Sequence, residues 1–483
     1  MSDEAEEDAL TELRSSQYGA TGDATSSGAG NTVEDYYKQL GVGKAQFLVW
    51  TPLLLIGMLD EGELIVSTIL LPYLRCEWQL SKLFELLIGS AVFFFYAIGS
   101  LVFGSISDRC GRKRVIISAN CVLLAGAAGA ACSPNKWVYL VTRVIQGLAI
   151  GAVYAAVHVF ASETVDSTRK ELPVTLLDVC IKLGLFLTAG LAWAILNTVG
   201  WRWFIVIQSL PLVIAIIWLL FVPESPRYYA AAGKPKEAEE ALRRLYLWNG
   251  VPYPEEYTLR TSNQPHRGEY SALCTRQLGP RTALLSFIYC SNLFVLFGMA
   301  AMIPLIEETG WCSARAKHQP EACSGFDQEG LKNIMIFYSL AFAGVLLAAV
   351  TSRYIGRVFS LRLYGILSLV FCLTYYVCVT SWFSKGMSAL VRFSASAYNM
   401  TSWYVMLEVY PTVLRNTATG IINFTGKLGG AVAAFSVYLL YSSSHTAVVT
   451  LINIAATGTV LGAVLWNRET RETVYTEFIE EDE

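Results

Sequence analysis

The chain has 483 residues, of which 54% are hydrophobic and only 16% are charged, and its mean hydropathy is +0.44. Because a water-soluble protein of this length exposes more charge, the composition predicts a membrane protein with many spans of about 20 apolar residues. The net charge of −3 provides no basic field, which argues against nucleic acid as a partner.

Both ends of the chain are polar. Residues 1–44 are acidic and rich in Ser and Gly, and they contain no apolar core of a cleavable signal peptide. We therefore interpret 1–44 as a disordered tail. The C-terminal residues 468–483 form a second acidic tail.

Twelve apolar segments lie between these tails. They lie near 47–72, 84–106, 115–132, 137–160, 173–197, 203–222, 283–306, 331–351, 361–382, 387–407, 415–440 and 446–466. A polar linker at 223–281 separates the sixth segment from the seventh, and it contains a surface helix predicted at 234–248 from its apolar spacing. The sequence thus predicts an all-α membrane protein with twelve transmembrane helices, six in 45–222 and six in 282–467.

Basic residues concentrate in the loops after the second, fourth, sixth and eighth segments. By the positive-inside rule, these loops and both termini face the cytoplasm. The loop after the seventh segment then lies outside, where an oxidising compartment permits a disulfide between Cys312 and Cys323; two free thiols are the alternative. The cysteine spacing indicates no metal site, and we predict no cofactor.

The two halves of the chain carry similar marks at matching places. The loop after the second segment is GSISDRCGRKR (104–114), and the loop after the eighth, VTSRYIGRVFSLR (350–362), keeps Gly356 and Arg357. Duplicated halves of this kind are typical of transporters whose substrate site lies midway between the halves.

These motifs carry a family resemblance. G-x-x-x-D-x-x-G-R-K within 104–114, RVIQG (143–147) and PESPRY (223–228) resemble the signatures of the major facilitator superfamily. Within it, LDEGELIVSTILLPYLRCEW (59–78) and EVYPT (408–412) resemble the synaptic vesicle glycoprotein two group. The resemblance covers most of the chain. It implies two pseudo-symmetric six-helix bundles (the major facilitator fold) that move around a central site.

The resemblance also implies a gate. Asp108 would contact Arg112 and a neighbouring helix end, and Gly104 would allow close helix approach. The alternative is that the basic residues only set topology. The same network would include Gly111, Arg143, Glu163, Arg169, Arg392, Glu408 and Arg415. The family's glutamate aligns with Ser162 rather than with Glu163, and the second-half loop lacks its acid, which predicts a weaker lock.

Charged side chains inside spans cost about 2.5–3.5 kcal/mol each, so their positions indicate function. The candidate substrate or proton residues are Asp60, Glu61, Glu63, Tyr154, Asp178, Lys182, Phe294, Tyr398, Trp403 and Lys427. At about 100° per residue, Asp60 and Glu63 share a helix face, whereas Glu61 points elsewhere. We interpret the first two as one proton or cation site, because close carboxylates do not both ionise easily.

Several of these residues have alternative interpretations. Glu61 could find Lys182 or Lys427, or lie where Gly62 breaks the helix. Lys182 could be neutralised by Asp178, four residues earlier on the same helix. Alternatively, it could attract a carboxylate substrate or pair with Asp60 or Glu63.

Other candidates have structural alternatives. Arg143 and Arg392 could extend to the membrane interface. His158 could relay protons or be structural. The aromatic residues could serve packing alone.

The sequence therefore predicts a monomeric secondary transporter of a small organic ion, an amine or a carboxylate, in a vesicle or plasma membrane. Coupling to protons is a hypothesis. The alternative is a transporter-like binding or trafficking protein that no longer turns over. No nucleophile–base constellation indicates an enzyme.

Overall fold

The computed structural model describes residues 32–254, 273, 275, 278–309, 325–376, 381–410, 412–440 and 444–466. Regular structure within these ranges is helical. Twelve long helices occur: α1 Lys44–Trp78, α2 Lys82–Cys110, α3 Arg112–Ala131, α4 Lys136–Ser162, α5 Glu171–Val199, α6 Trp201–Phe221, α7 Leu278–Thr309, α8 Gln328–Tyr354, α9 Arg357–Leu373, α10 Ser381–Val409, α11 Thr412–Leu440 and α12 His445–Leu465. Ten of them are long and apolar enough to cross a membrane; the other two, α1 and α10, carry buried polar residues along their length.

Helix packing repeats at an interval of six helices. In the first half, α1 packs on α5 and α6, and α4 packs on α2 and α3. In the second half, α7 packs on α11 and α12, and α10 packs on α8 and α9. The halves meet where α2 contacts α11 and where α5 contacts α8, two pairs that the same shift relates. The repeated loop motifs therefore correspond to a repeated helix arrangement.

Glycines set the closest helix contacts. A Cβ on Gly184 of α5 would lie 1.8 Å from the backbone oxygen of Met58 in α1. Gly104, expected to allow close approach, has no atom within 4 Å of a Cβ position in the described part of the chain, so that expectation is wrong. Gly111 has the stricter requirement: its φ is +102°, and a Cβ would lie 2.5 Å from Oε2 of Glu224.

These contacts predict opposite outcomes for two glycine substitutions. We expect Gly184→Ala to destabilise the protein by about 1–3 kcal/mol or more, because the added methyl overlaps a backbone atom that cannot rotate away. Gly104→Ala is the matched control and should not lower the melting temperature of the purified protein, since its methyl group meets no described atom. Equal melting temperatures for the two variants would contradict the α1–α5 contact.

The predicted disordered tail is wrong at its C-terminal end. A short helix, Val33–Leu40, buries Tyr36 and Tyr37 against the linker, where Tyr246 donates to the Tyr36 carbonyl at 2.8 Å. Its Glu34 bonds Arg227 at 2.7 Å. Burial raises the pKa of Glu34, but the Arg227 guanidinium and the Ser167 amide outweigh burial and hold that pKa below its ordinary value.

The linker forms two further helices, Pro226–Ala231 and Pro235–Asn249. The second coincides with the predicted surface helix and buries Ala238, Leu242 and Leu245. The apolar face of an amphipathic helix here covers the end of the bundle, which is why the flanking tail can also pack there.

Candidate functional site

The three acids of α1 lie on an unbroken helix. Gly62 does not interrupt α1; a Cβ there would lie 2.5 Å from the Thr188 hydroxyl and 3.2 Å from the Gln208 amide nitrogen. The alternative of a helix break is therefore wrong. Gly62 instead lets α5 and α6 approach α1 beside the acids.

Glu61 pairs with Lys182 of α5. The ammonium nitrogen lies 2.6 Å from Oε2, and both residues are almost fully buried. Lys182 therefore does not neutralise Asp178 on its own helix. The nearest basic atom to Asp178 in the described residues is Nε2 of His158, at 3.8 Å.

Glu63 pairs with Arg143 of α4. The guanidinium lies 3.3 Å from Glu63 Oε2 and also donates to the Tyr139 hydroxyl at 2.8 Å and to the Gln146 side chain at 2.9 Å. Arg143 is fully buried, so it does not extend to the membrane interface. Because Glu63 is held by Arg143, the predicted single Asp60–Glu63 site is divided into two environments.

Asp60 is the acid without a direct partner. It is 2% exposed, and neither carboxylate oxygen has a hydrogen-bond partner among the described residues. The carboxylate oxygens of Asp178 also lack a hydrogen-bond partner among the described residues, and His158 Nε2 lies 3.8 Å from one of them. A buried ionised carboxylate without a partner is costly, so both groups are suited to hold a proton or a cation.

The second half supplies cations to this layer. The Lys427 ammonium of α11 lies 4.2 Å from the ring centre of Tyr96, 4.6 Å from that of Tyr154 and 5.2 Å from that of Phe297. It makes no hydrogen bond or ion pair within the described ranges. Aromatic faces stabilise such a desolvated cation without neutralising it.

Arg392 of α10 is also fully buried, which excludes extension to the interface. Its guanidinium donates to the Leu296 carbonyl at 2.9 Å and lies 5.2 Å from the Tyr338 ring centre. Its side chain contacts no carboxylate in the part of the chain that the structure describes. Among the described residues, the first half thus contributes two acids without a hydrogen-bond partner, and the second half contributes two cations held by rings and a carbonyl.

Aromatic stacking joins the halves at this level. The His158 ring stacks on Trp403 of α10 with centroids 4.7 Å apart and planes 6° apart, and its Nδ1 lies 2.8 Å from the Tyr154 carbonyl oxygen. Two aromatic residues that the sequence predicted for the site do not take part in this stacking. Tyr398 points away and donates to the Thr459 carbonyl of α12, and Phe294 is only half-buried.

A second ionic network lies at the end of the protein where α2 ends and α3 begins. We call this end of the protein the basic end. Arg112 bonds Asp108 at 2.9 Å and Glu163 at 3.0 Å. The Glu224 carboxylate accepts the Lys113 backbone N–H at 3.1 Å, and burial raises the pKa of Glu224. Because Glu163 reaches Arg112, its displacement by one residue from the family position does not prevent pairing.

The second half repeats this network around Arg357. The guanidinium bonds Glu408 at 2.9 Å and the Ser352 carbonyl at 2.9 Å, and it also bonds Glu171 at the start of α5. The lost acid of the second-half loop is thus replaced by an acid from the first half. Sequence analysis missed Glu171, although the repeat of Gly356 and Arg357 was a signal for the arginine.

Contacts also join the halves at the opposite end. The Phe326 carbonyl accepts from the Tyr73 hydroxyl at 3.2 Å and from the Asn197 amide at 3.1 Å. The Gln328 amide donates to the Trp193 carbonyl at 2.8 Å. The charged layer is therefore enclosed between two contacting ends.

Other predicted residues do not join these clusters. Arg169 is exposed and lies 3.8 Å from Asp166. The side chain of Arg415, and the whole of Cys312 and Cys323, lie outside the described residues. Cys76 is disulfide-bonded.

Repeated helical halves around a buried charged layer define a membrane-transporter fold. The family profile described as the Major Facilitator Superfamily matches residues 53–434, and the chain belongs to this superfamily. It is 28% identical over 424 residues to "Synaptic vesicle 2-related protein" of Bos taurus, covering 85% of this chain and 76% of that protein. The resemblance to the synaptic vesicle group is confirmed.

Two further comparisons are consistent with membership of this superfamily. "Putative transporter svop-1" of Caenorhabditis elegans is 24% identical over 440 residues, which cover 90% of this chain and 84% of that protein. The proton:xylose symporter XylE, bound to 6-bromo-6-deoxy-D-glucose, has a TM-score of 0.65 at 16% identity, with 90% of this chain and 97% of that chain covered. This last likeness concerns the fold alone.

Proposed function

We propose that this protein is a proton-coupled secondary transporter of a small organic ion. All twelve long helices would cross the membrane as two bundles, 45–222 and 282–467, with the basic end and both termini in the cytoplasm. Relatives called putative transporters and a proton:xylose symporter of the same fold support this reading. The substrate would bind between the bundles, as repeated halves favour.

The observation that carries the proposal is the position of Asp60. It is a buried acid of the first half without a hydrogen-bond partner in the described residues, and the second half contributes the buried Lys427, which forms no ion pair there. A proton on Asp60 removes one negative charge from α1, and with it the attraction of that charge for the buried cations of the second half. Protonation would thereby change how strongly the two bundles attract each other, which is the requirement for coupling.

The substrate would complete the charge balance of the layer. Lys427 and Arg392 offer buried positive charge, whereas Asp60 and Asp178 offer negative charge that a proton can remove. An organic carboxylate would bind the second-half cations while the first-half acids are protonated. An organic amine would instead bind the ionised acids. Trp403 and Tyr154 would contact the apolar part of either ligand.

Asp60→Asn should uncouple transport from protons. A ligand is first identified by thermal shift with a panel of small organic carboxylates and amines, and its flux is then measured in proteoliposomes under an imposed pH gradient. We expect gradient-driven accumulation to fall by about 5–150-fold, the range of ordinary coupling energies, while exchange without a gradient persists. Glu240→Gln, on the exposed linker helix, is the control.

If accumulation by the unaltered protein does not depend on the pH gradient, proton coupling is refuted. A ligand that stabilises the protein but shows no flux in either assay would instead favour the non-transporting binding protein.

A further inference from the structure

A cavity lies on the outer side of the first half, and none of the residues of the charged layer lines it. It has a volume of about 580 Å³ and lies between α1, α5 and α6. Its walls are apolar, and they include Leu59, Phe186, Leu191 and Pro211. Among the described residues that line it, none belongs to the second half and none is charged. Its size is typical of small-molecule sites.

Two polar side chains, Thr188 and Gln208, are among the residues that line this cavity. Gln208 of α6 is 3% exposed, and neither its amide oxygen nor its amide nitrogen has a hydrogen-bond partner within the described ranges. Thr188 of α5 lies beside it, with both side chains against Gly62. A buried amide without partners is costly in an apolar setting. A ligand that both accepts and donates a hydrogen bond would remove this cost.

The position of the cavity in the membrane limits the polarity of the rest of the ligand. Leu187 borders the cavity and is 48% exposed on the outside of the helix bundle, where a membrane protein faces lipid. Leu59 and Thr188 are both far from the ends of their helices, so the cavity lies at mid-membrane depth. A charged headgroup would be unfavourable at this depth.

The geometry points to a lateral binding site for a neutral lipophilic molecule that carries a hydroxyl or an amide group. Its apolar body would fill the space between α1, α5 and α6, and its polar group would bond Gln208. The site is independent of the proposed transport function, because it shares no lining residue with the central charged layer.

Photolabelling of the purified full-length chain in nanodiscs tests this inference. The probe is an octanol that carries a diazirine, the competitor is octanol, and labelled residues are mapped by mass spectrometry. We expect saturable labelling of the α1, α5 and α6 segments around Leu59, Leu191 and Pro211. Excess octanol should suppress this labelling.

Variants distinguish the contribution of the cavity volume to binding from that of the Gln208 amide. Gln208→Leu keeps the volume but removes the amide, so it should weaken labelling by the alcohol about 3- to 10-fold. Labelling by the diazirine-bearing octane, which lacks the hydroxyl, should not change. Leu191→Trp should block both probes by filling the cavity, and Ala194→Phe serves if that variant does not fold. Ile217→Trp, on an exposed part of α6, should block neither.

Two results would overturn the inference. One is labelling that does not saturate and is spread evenly over the lipid-facing helices, since this is simple partitioning into the bilayer. The other is an equal response of the alcohol and the octane probe to Gln208→Leu, since this would remove the amide from recognition.

Discussion

Lys182→Met should lower the free energy of unfolding by about 3–5 kcal/mol, because it leaves the Glu61 carboxylate buried without its 2.6 Å partner. Neither side chain has access to water that could replace the lost contact. The change is measured by SDS titration of the purified protein, or as a fall in melting temperature.

The double variant distinguishes charge pairing from packing. Glu61→Gln combined with Lys182→Met removes both charges and should recover most of the lost stability, since replacement of a buried ion pair by neutral groups is often nearly neutral. Glu239→Gln breaks an exposed ion pair with Arg243 and should cost about 0–1 kcal/mol. A double variant as unstable as the sum of its single changes would contradict the Glu61–Lys182 pair.

Arg357→Gln should open the basic end of the protein. This one guanidinium holds Glu408 of its own half and Glu171 of the other half, so its loss removes an ionic contact between α5 and α9. Loss of about 1–2 kcal/mol would change the ratio of closed to open forms about 5- to 30-fold. Hydrogen–deuterium exchange should accelerate at the beginning of α5 and the end of α10.

Arg353→Gln is the matched control, because Arg353 is exposed four residues earlier at the end of α8. Glu171→Gln should produce a smaller change than Arg357→Gln, since Glu171 is half-exposed and Glu408 still holds the arginine. Unchanged exchange at the basic end in Arg357→Gln would exclude this contact as a lock.

The two ionic networks at the basic end show how the second half forms ion pairs although its loop lacks the acid of the first-half motif. Arg112 is held within the first half by Asp108 and Glu163, whereas Arg357 reaches across to Glu171. The second half has therefore exchanged an internal acid for one from its partner half. This acid forms a direct contact between the halves, whereas the weaker lock expected from the sequence stays a prediction.

Local features of the sequence were sufficient for much of the fold. Each predicted apolar segment overlaps one of the helices α1 to α12, because hydrophobicity and helix length are properties of short stretches. The helix predicted at 234–248 was found at Pro235–Asn249 for the same reason. The tail prediction failed at Val33–Leu40, since that helix is stabilised by distant residues such as Arg227 and Tyr246.

The sequence by itself determined which charges are placed in apolar helices, and hence that Asp60, Glu61 and Glu63 needed an explanation. Only the tertiary structure decided their partners. Glu61 and Lys182 are 121 residues apart, and Glu63 and Arg143 are 80 residues apart. Helical periodicity gives the direction of a side chain around one helix, but not which neighbouring helix it meets. Packing of α4, α5 and α6 around α1 therefore left Asp60, rather than Glu61, as the acid without a direct partner in the described residues.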